Sequence, residues 1–427
     1  MTPGHVAAQV FLVLSWLLAL GWLWQAVAAL RGVPTLPDLT QMDGVLPALP
    51  ASEGPHLTVI VPACNEEAAI VATLRSLLAS TGLRLEIIAV DDRSTDRTGV
   101  LMDEVAAEAA QSAGPHTLRV IHNRALPAGW LGKPHAMHLA MQQATAPWLL
   151  FTDGDVDFHP QALALGLRYA LAQQADHVVL GLTLTLRTTG EAAMMAAMGA
   201  MSQWNIRLWK VADPRARDFF GAGGFNLVRR EVFEEVGGFD ALRMEVLEDL
   251  RLGWKIKRAG YAQRVVLGPG LARIRWLEGA LGVVRLVEKN GFALYRYRLG
   301  VALPACFGMA VQALLPLAAI AGCPILGTHL FLSQGWDSTN PEIQTAVCIW
   351  IVAAGVLTYL SIATVYAASR RIFQGSPWLA VFFAPACVLV LYAVLRSILL
   401  TLTRGGVEWR GTRYPLDELR RNAGSGW

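Results

Sequence analysis

Acidic residues recur in short, spaced groups along the first 250 positions of this 427-residue chain. The stretch "FTDGDVD" sets Asp153 and Asp155 two apart, with Gly154 letting the chain turn tightly between them. A hard divalent cation such as Mg2+ or Mn2+ prefers oxygen ligands and takes few from protein, leaving room for phosphate oxygens. Asp155 is the expected direct ligand, and Asp153 serves the metal or a ribose. A helix–loop–helix calcium site is the rival reading of D-x-D-x-D. It needs Gly at its sixth place and Glu at its twelfth, where this chain has Phe158 and Ala164, so it is rejected. Asp91-Asp92 in "VDDRSTDRT" can accept from a base N–H or from ribose hydroxyls. Glu66 in "PACNEE" can serve the ribose, and that turn is expected to expose backbone N–H groups to a nucleotide. Lys133 opens a helix, where its charge and the helix N-terminus both favour phosphate. Glu248-Asp249 opens another helix, whose dipole favours an ionised carboxylate, as a general base requires. Asp249 is expected to be the base and Glu248 its support. Taken singly, each group has an ordinary reading as a capping acid or a surface lysine. As a set they predict one pocket for a nucleotide diphosphate and its metal.

Other residues frame that pocket. Gly223 and Gly224 in "GAGGF" permit close backbone approach by an acceptor. Trp409-Arg410 in "VEWRGTRY" can close the pocket from the tail. His135 and His138 lie three apart with no third His or Cys ligand nearby, which reads as packing or surface rather than metal. No G-x-S-x-G, H-E-x-x-H or G-x-x-x-x-G-K-[ST] pattern occurs, which argues against hydrolase, zinc-protease and Walker-type NTPase chemistry.

The elements that must position these groups alternate. "HLTVIVPA", "LRLEIIAV", "LRVIHN" and "PWLLF" read as strands. Helices are predicted over Glu66–Ser80, Thr95–Gln111 with Ser94 or Thr95 as N-cap, and Lys133–Ala144. Such alternation implies an α/β domain whose mainly parallel sheet carries helices on both faces. Ligands bind beyond the carboxyl ends of such strands, so Asp91-Asp92 and Asp153 should face one crevice. A helix to about Gln174 and a strand "HVVLGL" follow. Glu191–Leu208 reads as a helix packed in the core rather than one lining a lipid path. The segment "EVLEDLRLGWKIKRAGY" becomes an amphipathic helix ending at Gly260.

The chain is 54% hydrophobic and 16% charged, with a mean hydropathy of +0.40. The apolar excess is clustered. A net charge of +3 does not point to nucleic acid. The five cysteines show neither metal spacing nor a disulfide framework. Ala7–Leu30 carries no Lys, Arg, Asp or Glu and reads as an uncleaved anchor rather than a signal peptide. Arg31 favours a cytoplasmic domain after it. Further apolar segments lie near Val301–Cys323, Thr345–Ala368 and Trp378–Leu402. The loop Gly327–Gln344, without Lys or Arg, is expected outside, and Arg370-Arg371 inside. The arginine-bearing tail is also expected inside, although a full third crossing would put it outside; the break at Pro385 offers a re-entrant alternative. Arg273–Gly300 reads as helices on a membrane surface or as a solvated basic face. The expected organisation is an anchor (1–31), linker (32–56), α/β domain (57–272), interfacial helices (273–300), transmembrane helices (301–403) and a cytoplasmic tail (404–427).

The ordered set "VIVPACNEE", "VDDRSTDRT", "LPAGWLGKPHA", "FTDGDVDF", "GGFNLVRREVFEEVGGF" and "LEDLRLGWKIKRAG" resembles family-2 inverting glycosyltransferases of the GT-A fold. "LPAGWLGKPHA", "EGALGVVRLVEKN" and the late apolar helices are closer to membrane-bound carotenoid (staphyloxanthin-type) and hopanoid-associated members. The resemblance implies a Rossmann-like nucleotide-diphospho-sugar domain, a UDP-sugar donor, a divalent metal and a membrane lipid acceptor. It also implies a multi-pass protein of the bacterial inner (plasma) membrane. It places Pro62, Glu66 and Asp92 at the nucleotide, Lys133 near it, Asp155 at the metal and Asp249 as base. Processive synthases of the family carry Q-x-x-R-W after the base. Here "ARIRW" keeps Arg275-Trp276 but has Ala272 in place of Gln, which favours a single transfer. The rivals are a polysaccharide or polyprenyl-phosphate glycosyltransferase and a non-catalytic nucleotide-sugar-binding component.

Overall fold

The N-terminal apolar run forms one helix, α1 (Pro3–Gly32). After a linker, strands and helices alternate as β1 (Leu57–Ala63), α2 (Ile70–Leu78), β2 (Leu85–Asp92), α3 (Thr98–Gln111), β3 (Thr117–Asn123), α4 (Gly132–Met141) and β4 (Trp148–Phe151). They continue as β5 (Asp157–Phe158), α5 (Ala162–Ala172), β6 (His177–Gly181), β7 (Thr183–Leu184), α6 (Thr189–Ser202), β8 (Asn226–Arg229), α7 (Arg230–Glu235), α8 (Glu248–Arg258), β9 (Gln263–Leu267) and β10 (Ala272–Ile274). The remainder is α9 (Gly282–Leu294), α10 (Leu299–Leu326), α11 (Pro341–Ala368), α12 (Arg370–Phe373), α13 (Phe383–Thr403), β11 (Gly406–Trp409), β12 (Thr412–Pro415) and α14 (Leu416–Asn422). The computed structural model describes residues 3–112, 114–276, 278–326 and 341–423; most of the expected external loop Gly327–Gln344 lies outside them.

The chain divides into two compact units. The α/β unit comprises Leu36–Thr185, Ile206–Trp276 and Leu399–Trp427. Its seven-stranded sheet has the order β3-β2-β1-β4-β8-β6-β9. All neighbours are parallel except β8, which runs antiparallel to β4 and β6. β1 and β2 are buried throughout, as apolar runs covered on both faces should be. Alternate residues divide between the faces. Val59 and Val61 pack with Ile70, Leu74 and Leu77 of α2, while Ile60 packs with Ala136 and Met137 of α4. Each such burial contributes about 1.5–3 kcal/mol. The chain order reverses between β1 and β4, so the loops leaving those two strands diverge and open a crevice. A two-stranded sheet, β11-β12, comes from the tail.

Four expectations need correction. The helix predicted from Glu66 starts at Ile70, and the one predicted from Thr95 starts at Thr98. Neither Ser94 nor Thr95 caps α3; Asp96 accepts from the Thr98 N–H instead. Within the expected linker, Leu39 and Leu46 join the α/β core. Arg273 is not in an interfacial helix but in β10, which pairs with β5 and β7. The alternation buried–exposed–buried over Ala272–Ile274 is the strand period of two.

The other unit comprises Met1–Thr35, Leu186–Asn205 and Leu277–Ile398. Among the described residues four stretches, Val6–Thr35, Leu299–Ala321, Thr345–Ala368 and Pro377–Thr403, are long and apolar enough to cross a membrane. α6, expected within the α/β core, packs here with Met194 and Met195 buried. α9 docks on α13 through Ser397, whose hydroxyl accepts from the Phe292 N–H and donates to the Glu288 carbonyl.

Candidate active site

Lys133 sits at the centre of the crevice. Its Nζ lies 2.7 Å from Asp153 Oδ1 and 2.6 Å from Glu248 Oε1. One cation therefore joins the end of β4, the start of α4 and the start of α8. Burial alone would lower the Lys133 ammonium, but Asp153, Glu248 and Asp249 outweigh it and hold it well above the usual lysine range. Asp249 adjoins the cluster with its carboxylate turned to the Leu250 N–H at 2.7 Å. Burial, then the charge of Glu248, pushes Asp249 up to about 7. Asp155 is raised to about 6 by burial first, then by Asp153 and Glu66.

The loop carrying "GAGGF" is fitted between these groups. A Cβ on Gly221 would overlap the Asp249 carbonyl, and one on Gly253 of α8 would overlap the Phe220 carbonyl. A Cβ on Gly223 would come within 2.6 Å of Asp153 Oδ2. Gly224 packs elsewhere, against Leu182 and Val156, and its carbonyl accepts from Thr152 Oγ1 at 2.8 Å. Thus Gly223 borders the cluster and Gly224 is a packing glycine. Beneath the loop lies a buried polar row that sequence reasoning missed. Gln263 Oε1 accepts from the Phe220 N–H at 3.0 Å, and its Nε2 donates to His177 Nδ1 at 2.7 Å and to the Gly253 carbonyl at 3.1 Å. His177 Nε2 meets Asn226 Oδ1. Burial lowers His177 to about 4, so its imidazole is neutral and Nδ1 remains an acceptor. Only the oddity of polar residues in apolar strands signals this row in the sequence.

The donor set suits a hard divalent cation. Four carboxylates share one lysine, all offer oxygen, and two are raised by burial and then by crowding. Among the described residues no three His, Cys, Asp or Glu side chains stand close enough to hold a metal by themselves. A cation here would take one or two carboxylates, with phosphate and water completing its shell.

The residues expected to meet a nucleotide differ from expectation in detail. The N–H groups of Asn65, Glu66 and Glu67 are donated to Ser94 Oγ, Thr98 Oγ1 and Asp96 Oδ2, so the "PACNEE" turn does not offer them to a ligand. The "RSTDRT" segment braces that turn. Asp91 is turned away from the crevice, 1% exposed, accepting from the Ser94 N–H and facing His122. Asp92 faces the other way and is held by Arg93, through two nitrogens at 3.0 Å, and by Asn123 at 2.7 Å. Pro62 is buried within β1 opposite Val90. Glu66 is paired with Arg410 of the tail, Nη2 to Oε1 at 2.5 Å. Trp409 precedes it at the end of β11, and Arg275 and Trp276 follow β10. His135 meets Asn123, and His138 meets Trp130 and Gln142.

Residues 58–237 match the family described as Glycosyl transferase family 2. The chain is similar to a 4,4'-diaponeurosporenoate glycosyltransferase of Staphylococcus haemolyticus, 30% identical over 118 residues, 28% of this chain and 29% of that protein. It is similar to an undecaprenyl-phosphate 4-deoxy-4-formamido-L-arabinose transferase of Pectobacterium carotovorum, 30% identical over 126 residues, 29% of this chain and 36% of that protein. The chain thus matches about a third of each relative's length or less. Among solved structures it is similar to a mannosyltransferase from Pyrobaculum calidifontis in complex with GDP-Man and Mn2+, with 17% identity, a TM-score of 0.44, and 92% of this chain and 99% of that one covered.

Proposed function

We propose that this chain, whose residues 58–237 match the family described as Glycosyl transferase family 2, is a glycosyltransferase that moves a single sugar from a UDP-sugar to a membrane lipid acceptor, inverting the anomeric carbon. The observation that carries the reading is the bridge from Asp153 through Lys133 to Glu248, because it joins the donor's metal end to the base-bearing helix. Asp249 is the general base: it takes the proton from the acceptor hydroxyl or carboxyl as that oxygen attacks the anomeric carbon. The bond to the diphosphate breaks, and its electron pair leaves with UDP. Lys133 neutralises part of the charge that develops there, and Glu248 holds Lys133 in place. A divalent cation at Asp155, with Asp153, supplies the remaining charge neutralisation when bound. Glu66 and Asp92 face the nucleoside, and Gly223 leaves the acceptor room beside Asp153.

The lipid class is supported by the two relatives, whose names specify a diaponeurosporenoate and an undecaprenyl phosphate, and by the apolar helices. A carotenoid, a hopanoid or a glycolipid fits that class. The unit bearing the site is assigned to the cytoplasmic side of the bacterial inner membrane, where UDP-sugars are made. The tail belongs to the same compact unit as the sheet. That supports a tail on the same side as the sheet, with an even number of crossings between them and at most two of α10, α11 and α13 crossing fully.

Mass spectrometry of lipids from cells expressing the intact protein beside Asp249→Asn tests the reading. A glycosylated lipid should appear only with the intact protein. A polymeric product from radiolabelled UDP-sugar would overturn single transfer. A polyprenyl-phosphate acceptor is the second reading, favoured by the undecaprenyl-phosphate relative. Such an acceptor arrives ionised and needs no base, so Asp249→Asn that still forms a polyprenyl-phosphate sugar would select it.

A further inference from the structure

The tail hairpin turns at Arg410 and Gly411, both at positive φ, 49° and 75°. With Trp409 paired to Thr412, this is a two-residue turn of the kind that asparagine and glycine make without strain. An arginine there is strained, and strain of this kind persists where a side chain is needed in one place. Two more non-glycine residues at positive φ, Asn65 at 56° and Arg93 at 58°, stand in the same corner.

Three contacts hold the hairpin on the nucleotide end of the α/β unit. Arg410 pairs with Glu66 at 2.5 Å. Thr412 Oγ1 accepts from Arg93 at 3.2 Å. Tyr414 accepts from the Gly132 N–H at 3.2 Å, one residue before Lys133. Gly132 itself leaves no room for a Cβ, which would lie 2.5 Å from Arg93 Nη2 and 2.6 Å from Asp92 Oδ2. These contacts involve Arg93 and Arg410 and end one residue before a third cation, Lys133. The three cations are not equally free to move. Lys133 is locked by two carboxylates. Arg93 is locked by both oxygens of Asp92 and by Thr412. Arg410 is held by one carboxylate oxygen, at a hairpin tip, with 39% of its side chain exposed. A diphosphate offers that guanidinium more charge and a planar pair of oxygens, the arrangement an arginine fork matches best.

We propose that Arg410 is a ligand for the diphosphate of a nucleoside-diphosphate donor: it exchanges Glu66 for phosphate oxygens, the hairpin closes over the donor, and Glu66 is released to the ribose. This rests on the glycosyltransferase reading of the same site. The exchange makes the tail part of the donor site. It also couples recognition of the two halves of the nucleotide, because ribose binding by Glu66 and phosphate binding by Arg410 each remove the other's competitor.

Calorimetric titration of the intact protein in detergent with UDP and with UMP, both with Mn2+, tests this. Arg410→Ala should weaken UDP by about tenfold to a hundredfold and UMP by less than about threefold, since a charge-assisted pair to the second phosphate is lost. Arg410→Lys should fall between, and it serves if the alanine protein does not fold. Glu66→Gln should tighten inorganic pyrophosphate, and Arg410→Ala in that background should erase the gain. An unchanged UDP-to-UMP preference in both Arg410 variants, with UDP still bound, overturns the exchange and leaves the glycosyltransferase reading standing. An intact protein that binds neither nucleotide removes both.

Discussion

At the β4 end of the crevice, Asp153, Asp155, Glu248 and Asp249 share one lysine, and burial and crowding raise Asp155 and Asp249 toward neutrality. At the β1–β2 end Asp92 pairs with Arg93 and Glu66 with Arg410. The first region holds unrelieved repulsion, which a divalent cation or a proton lowers. The second pairs its acids with arginines, so the proposed donor enters it by exchanging partners. The proposed donor site therefore offers two different electrostatic routes to binding, and each can be broken separately.

The largest effect is expected at the base. Asp249→Asn should cut transfer to a hydroxyl acceptor by about a thousandfold while UDP binding persists. It should also raise the melting temperature, because it removes one charge from a crowded acidic cluster. Unchanged turnover would remove Asp249 from the chemistry. Next is Asp155→Ala, which should weaken Mn2+-dependent UDP binding by about tenfold to a hundredfold. Chelation should cost the intact protein a similar factor and the variant little; an equal metal response in both would take Asp155 out of the metal shell.

A smaller loss is expected from Gln263→Leu, which touches no substrate but holds Phe220 and Gly253. Misplacing the Gly221–Asp249 contact should lower kcat by about tenfold with KM for UDP-sugar nearly unchanged. A matched rise in KM would mean that the donor side had moved instead.

The smallest and most graded test is pH. Asp249 must be ionised to act, so kcat/KM should fall as pH drops through about 7. Stability should run the other way. Asp155 and Asp249 hold protons in the fold at pH values where the unfolded chain has lost them, so the folded state gains as pH falls from about 7 toward the ordinary carboxylate range. Saturating UDP with Mn2+ should flatten that slope, because added positive charge restores ionisation. A slope that persists with both bound would place the acids outside the donor site.

Strands β1, β2 and β4 were readable because an apolar run ending in acids is a local pattern. Helix α8 was readable from the two acids in its first turn and the basic residues in its last. The starts of α2 and α3 were not, because Ser94, Asp96 and Thr98 spend their hydrogen bonds on the Asn65–Glu67 turn instead of extending a helix. Asp91 and Asp92 illustrate the limit most directly. Neighbours on a strand must point to opposite faces, which the sequence implies. Which of them meets His122 and which meets Arg93 depends on β3 and its register.

By itself, the sequence determined the alternation of elements, the acids at the strand ends, the lysine at a helix start and the apolar helices. These follow from backbone periodicity and from composition within a few residues. Only the tertiary structure decided that Asp153 and Glu248 share Lys133, that Gln263 supports the glycine loop, and that Arg410 reaches Glu66 from 344 residues away. Charge pairing acts through space over a few ångströms, whereas a chain of any length can bring its partners there.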